Sequence, residues 1–190
     1  EGKRYALVSS WKGISSVDVQ IGKPLWVYSW ECYTGNIVPD PVILGDTIYL
    51  ANEYAEPKKK QSVLLEILSG QPTVRWKSAD LQSDICSPVV LDGYIYSCHG
   101  GPFTECIGVP FAERYAMLRC LDLETGQLKW EAHPGGLPLS DPVSLMAADG
   151  KLIMQTFWGI LAIAEATPIE YREISRCDLR TVVKKAKRWF

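Results

Sequence analysis

Neither an excess of one charge nor a long apolar run is present in this chain. Lys and Arg number 20 against 22 Asp and Glu, a net charge of −2. That balance supplies no positive field to gather nucleic acid or an anionic membrane, so neither is expected as a partner. The longest apolar stretch, residues 159–164, falls far short of the roughly 18 residues a spanning helix requires, and no membrane span is expected. Histidine occurs twice, as His99 and His133, and asparagine twice, as Asn36 and Asn52, so sites built from several of either are excluded. No Cys-x2-Cys spacing or adjacent Cys pair occurs. The opening Glu1-Gly2-Lys3-Arg4 lacks both a Met and the apolar core of a signal peptide, and reads as a trimmed product.

What is abundant is apolar and aromatic residue content. At 190 residues, 47% hydrophobic and 22% charged, the chain has the composition of a packed globular protein. Its six cysteines are an even set, which suits an oxidising, extracytoplasmic compartment. Cys86 pairs with Cys98 across an expected hairpin, or Cys98 with Cys106 across a Gly-rich loop. The plainer alternative is thiols buried as small apolar groups on strands.

One phrase is written three times and ends each time in tryptophan: Val17-Asp18-Val19-Gln20-Ile21-Gly22-Lys23-Pro24-Leu25-Trp26, Leu65 through Gly70 to Trp76, and Leu121-Asp122-Leu123-Glu124-Thr125-Gly126-Gln127-Leu128-Lys129-Trp130. The copies recur at intervals of 50 and 54 residues. A period near 50 means stacked supersecondary units, none able to bury its apolar face without a neighbour. A second phrase recurs in register with the first, headed by proline: Asp40-Pro41-Val42-Ile43-Leu44, Ser87-Pro88-Val89-Val90-Leu91 and Asp141-Pro142-Val143-Ser144-Leu145. Each runs through a Gly/Asp turn, a strong hairpin signal, into a β-branched or aromatic strand.

The unit is therefore a four-stranded antiparallel meander, A-B-C-D, with proline at the head of strand A and tryptophan on strand D. Pro41, Pro88 and Pro142 sit where a strand tolerates a missing N–H. Gly22, Gly70 and Gly126 make the C–D turns. Trp26, Trp76 and Trp130 offer large apolar faces to wedge between sheets, with an N–H for an acceptor. Radial packing of such sheets gives an all-β propeller. The expected units span about 4–30 (strands B to D only), 38–78, 85–131 and 140–178, with 179–190 approaching a further strand. In the fourth unit the turn motif has decayed to Glu165-Ala166-Thr167-Pro168, and Tyr171 takes the tryptophan's place.

Ser87-Pro88-Val89-Val90-Leu91-Asp92-Gly93-Tyr94-Ile95-Tyr96 and residues 121–131 closely resemble the repeats of the pyrroloquinoline-quinone-like (PQQ-like) β-propeller family. The resemblance covers about residues 5–178. It implies a propeller of seven or eight blades, of which about four are here. Two accounts stand open: a piece of a longer polypeptide that supplies the remaining blades, or two copies joined as a homodimer around one axis. The family includes quinoprotein dehydrogenases and propellers without catalysis, among them an outer-membrane assembly lipoprotein. The dehydrogenases stack the quinone on a tryptophan beneath a vicinal disulfide, with calcium held by Glu, Asn and Asp. This chain lacks the vicinal pair, and Trp158 is its best stacking platform.

Antiparallel connectivity sends the B–C and D–A connections to one end of every sheet and the A–B and C–D turns to the other. The long connections all fall at the first end, where long loops on a rigid scaffold carry function. Glu53, His99, Phe103, Glu105, Arg114, His133 and Trp158 form the expected binding face. His99, Cys98, Cys106 and Glu105 are candidate metal ligands by type, set against an ordered polar loop with no ligand. The expected function is a non-catalytic binding or scaffolding module with a protein partner and no cofactor. The alternatives are part of a quinoprotein oxidoreductase using PQQ and calcium, and the sensor domain of a signalling protein.

Overall fold

The computed structural model describes residues 4–10, 12–30, 39–52, 62–83, 86–99, 117–133, 143–156 and 159–182. These form fifteen strands in four antiparallel sheets and one helical turn. The first sheet has three strands, β1 (Tyr5–Ser10), β2 (Gly13–Asp18) and β3 (Pro24–Ser29). The second runs β4 (Val42–Leu44), β5 (Thr47–Ala51), β6 (Ser62–Leu68) and β7 (Gln71–Ser78). The third comprises β8 (Val89–Leu91), β9 (Tyr94–His99), β10 (Met117–Asp122) and β11 (Leu128–Ala132). The fourth comprises β12 (Val143–Ala148), β13 (Lys151–Thr156), β14 (Ile160–Glu165) and β15 (Glu173–Asp178). Strand order within each sheet follows chain order, so every connection is a hairpin. After β15 the chain enters α1 (Leu179–Val182), where the Asp178 carboxylate accepts from the Arg180 N–H at 2.9 Å as an N-cap.

The hairpins form because their turn residues accept positive φ. Asp92 and Gly93 lie at φ 50° and 81°, and Asp149 and Gly150 at 49° and 67°, as a two-residue hairpin loop demands.

Side-chain alternation builds three cores, one at each sheet junction. Ile14 and Trp26 of the first sheet meet Ile48, Leu50, Val63 and Leu65 of the second. Tyr49, Ala51 and Leu64, on the second sheet's opposite face, meet Ile95 and Leu121 of the third. Tyr96, Cys98, Leu118, Cys120 and Trp130 meet Leu152, Met154, Ala162 and Ala164 of the fourth. The two middle sheets are thus apolar on both faces, and burial of each large side chain contributes roughly 1.5–3 kcal/mol. Removing a sheet would strip a face from its neighbour, as expected of stacked repeats.

Every sheet carries a register shift at the same place between strands C and D: Ser16/Val17, Leu64/Leu65, Cys120/Leu121 and Ile163/Ala164. A bulge of this kind bends the D strand and re-aims the residue beside it. In three sheets that residue is the tryptophan, with Trp26 opposite Ser16, Trp76 opposite Leu64 and Trp130 opposite Cys120. In the fourth it is Ser175, opposite Ile163. This corrects the expectation for Tyr171, which lies in the C–D connection. Its ring packs on Trp130 of the preceding sheet at 6.1 Å between centroids.

Candidate functional site

The C–D turn with sequence Asp122-Leu123-Glu124-Thr125-Gly126 is built by its first residue. The Asp122 carboxylate accepts from the Thr125 N–H and hydroxyl, each at 2.9 Å, and these bonds hold its pKa below the usual value. The Asp122 carbonyl accepts from the Gly126 N–H at 2.8 Å, closing the loop. Folded this way, the turn lies against the preceding sheet. Trp76 donates its indole N–H to the Leu123 carbonyl at 2.9 Å, and its ring occupies the space a side chain on Gly126 would need. Trp130 donates likewise to the Thr167 carbonyl of the fourth sheet at 2.7 Å.

The first junction lacks this closure. In the second, third and fourth sheets a backbone bond joins the end of strand C or the start of the C–D connection to the A–B turn: Ile67 N–H to Asp46 carbonyl, Leu123 to Gly93 and Ala166 to Gly150. Ile67 is therefore the counterpart of Leu123. Instead of folding back, it continues the ladder opposite Pro72, and β6 and β7 run on to a two-residue loop of Ser69 and Gly70 at φ 51° and 77°. Nothing stands within 4 Å of the Cβ position of Gly70, whereas Trp76 would lie 2.6 Å from one on Gly126. Trp26 Nε1 makes no hydrogen bond to any of the described residues, unlike the other two indoles.

A cavity of about 590 Å³ is left between the two sheets. Tyr5, Leu7, Ser16, Leu25 and Trp26 line it from the first sheet. Ile43, Ile48, Ile67, Asp46 and Gln71 line it from the second. Ile43, Tyr5 and Leu25 of its lining are exposed and apolar, at 62%, 53% and 40% accessible, while Trp26, which also lines it, is 9% accessible. The volume falls within the roughly 300–1,000 Å³ of ordinary ligand clefts. The sequence reading missed this site because it placed function among the long connections. The signal was nevertheless in the repeat: Gly70 precedes Trp76 by six residues, where Gly22 and Gly126 precede theirs by four.

At the opposite end of the sheets, His99 ends β9 and His133 follows β11, so both stand at one end of the third sheet on either side of β10. His99 serves structure. Its Nδ1 accepts from the Gln82 N–H at 3.0 Å, and burial, aided by the charge of Arg119, lowers its pKa to about 3. Arg119 is held by Glu131 at 2.7 Å and by the Asp80 carbonyl. Ser83 and Ser97 share a hydrogen bond of 2.7 Å, and Ser97 Oγ donates to the Cys86 carbonyl at 3.2 Å. These bonds fasten the connector from β7 to β8 across the end of the sheet.

Cys86 and Cys98 are free, buried cysteines in contact rather than a disulfide. The hydrogen bond from Cys98 holds the Cys86 thiol down to about 7, and Cys98, as donor and in full burial, is pushed up. Cys120 is raised to about 12 by burial. Among the described residues no group of three His, Cys, Asp or Glu side chains converges to hold a metal ion. Glu53, Phe103, Glu105, Cys106, Arg114, Trp158 and Pro142 lie outside the described residues. No helix among the described residues is long and apolar enough to cross a membrane.

No protein-family model and no curated protein matches the chain. Solved structures do match. BamB from Moraxella catarrhalis is 16% identical with a TM-score of 0.64 over 92% of this chain and 46% of that one. The quinohemoprotein alcohol dehydrogenase ADHIIG from Pseudomonas putida HK5 is 11% identical, TM-score 0.65, over 93% of this chain and 33% of that one. The computationally designed protein Ika4 is 15% identical, TM-score 0.57, over 88% of each chain. The fold is therefore that of PQQ-like repeat β-propellers, each sheet being a blade, and the chain spans less than half the length of BamB. At these identities the likeness carries fold and not chemistry.

Proposed function

We propose that the chain is a non-catalytic binding or scaffolding module of the PQQ-like propeller fold, and that it engages a protein partner. The observation that carries this reading is the contrast between blade junctions. Two are closed by an indole bonded across to the next blade, and one is left as an apolar, rimmed cavity. Exposed apolar surface around a concave site is characteristic of recognition.

The structural likeness to quinohemoprotein alcohol dehydrogenases supplies the competing reading, a portion of an oxidoreductase. Adding PQQ and calcium to the purified chain and following dye-linked alcohol oxidation separates the two. The module reading expects no turnover and no quinone absorbance retained on gel filtration. Sustained oxidation of a primary alcohol would overturn it.

A further inference from the structure

We propose that the open junction between the first and second blades takes a turn-forming segment of a partner protein, which docks a main-chain carbonyl on Trp26 Nε1 and an apolar side chain in the cavity. The inference rests on the binding-module reading and names its ligand.

The molecule contains its own templates. At the second junction, Trp76 is capped by a chain segment that brings the Leu123 carbonyl to 2.9 Å from its Nε1 and lays the backbone of Gly126 on its ring. At the third, Trp130 receives the Thr167 carbonyl at 2.7 Å and the ring of Tyr171 at 6.1 Å. In both cases what the indole binds is main chain, with a compact or aromatic group against the ring. Trp26 presents the same group at the same register position after the same bulge. Its cap is missing because β6 and β7 carry the connection away as a two-residue hairpin.

An N–H at an apolar site without a protein acceptor costs free energy unless water or a ligand satisfies it. Trp26 is 9% accessible, has no acceptor among the described residues, and is not sealed from solvent. Trp26 is also among the residues that line the cavity. Gln71 at the same site carries an amide that both donates and accepts, as a passing backbone requires. Ile43 and Tyr5 supply the apolar rim that a docked segment would cover. A wholly apolar ligand would leave the Trp26 donor unanswered, which favours a peptide with its regularly spaced carbonyls.

The test uses the whole chain with indole nitrogens labelled, Trp26→Phe identifying the Trp26 signal among the seven tryptophans. The probe is an acetylated, amidated peptide copying residues 121–128, the molecule's own capping turn. The proposal expects a saturable downfield shift of the Trp26 indole proton, with Trp76 and Trp130 unmoved. Ile43→Arg, at an exposed rim position, weakens the peptide by about tenfold or more, since losing even one apolar contact of this size is worth that factor. Replacing residues 66–73 with a copy of 122–127, so that the turn-building Asp122 is included, caps Trp26 from its own chain. The Trp26 signal then moves toward those of Trp76 and Trp130, and peptide binding is lost.

A parallel titration uses 8-anilinonaphthalene-1-sulfonate. If that dye shifts Trp26 and the peptide does not, the peptide proposal is overturned while the binding reading survives. If neither shifts it, or if the grafted variant still binds peptide, the proposal is overturned too. The binding-module reading itself fails on a separate readout, turnover with PQQ and calcium.

Discussion

Trp76 and Leu123, forty-seven residues apart, are joined by an indole N–H that donates to a main-chain carbonyl at 2.9 Å across two blades. The bond is possible because residue 126 is glycine. Gly126 takes φ 69°, which other residues adopt at a cost, and its missing side chain is the space that Trp76 fills.

Two glycine variants separate these effects. Gly126→Ala combines left-handed backbone with a Cβ that would come within 2.6 Å of the Trp76 ring, and is expected to cost about 3 kcal/mol or more. Gly70→Ala carries the same kind of backbone at φ 77° but meets open space, and is expected to cost about 1 kcal/mol. Urea unfolding midpoints of the two variants measure the difference.

Tryptophan-to-phenylalanine variants read each junction. Trp76→Phe and Trp130→Phe each remove an interblade hydrogen bond and strand a carbonyl, so each is expected to lose about 1 kcal/mol more than Trp26→Phe, which has no such bond to lose. Equal losses at all three positions would refute the contrast between junctions.

Acid stability follows His99. Its folded pKa of about 3 lies below the usual 6.5, so the unfolded chain binds the proton first. The stabilisation is complete above about pH 6.5 and is lost as pH falls from there toward 3. His99→Gln keeps an acceptor for the Gln82 N–H and removes the titration, so its unfolding midpoint is expected to fall less steeply across that window.

Thiol accessibility divides the four described cysteines. Cys177 is exposed, while Cys86, Cys98 and Cys120 are buried. Brief alkylation of the native chain under reducing conditions, read by peptide mass mapping, is expected to label Cys177 and to reach the other three only after unfolding. Rapid labelling of Cys120 would contradict the packing of the third and fourth blades.

Much of this architecture was legible in the chain because propeller repeats write their strand map into recurring local phrases. Proline heads, Asp-Gly turns and tryptophan strands each have a local physical cause, so their order gave the meanders. Tyr171 misled because adjacency in a decayed motif is not register. The bulge opposite Ile163/Ala164 puts Ser175 at the tryptophan's position and leaves Tyr171 to serve the neighbouring blade. The cavity was harder to see, since it arises from a turn that fails to fold back. Its trace in the sequence is only the two extra residues between Gly70 and Trp76. His99, attractive as a ligand by residue type, proved to be an acceptor for a connector's N–H, a role fixed by residues seventeen apart that no spacing rule reveals.

The most direct measurement is hydrogen exchange of the three indole N–H groups in the unliganded chain, with signals assigned by single substitution. Trp76 and Trp130, bonded across their junctions, are expected to exchange slowly, and Trp26, which lines the cavity and makes no such bond, to exchange faster by an order of magnitude or more, about the factor that one net hydrogen bond supplies. Protection of Trp26 equal to that of the other two would contradict an open first junction and, with it, the recognition site proposed there.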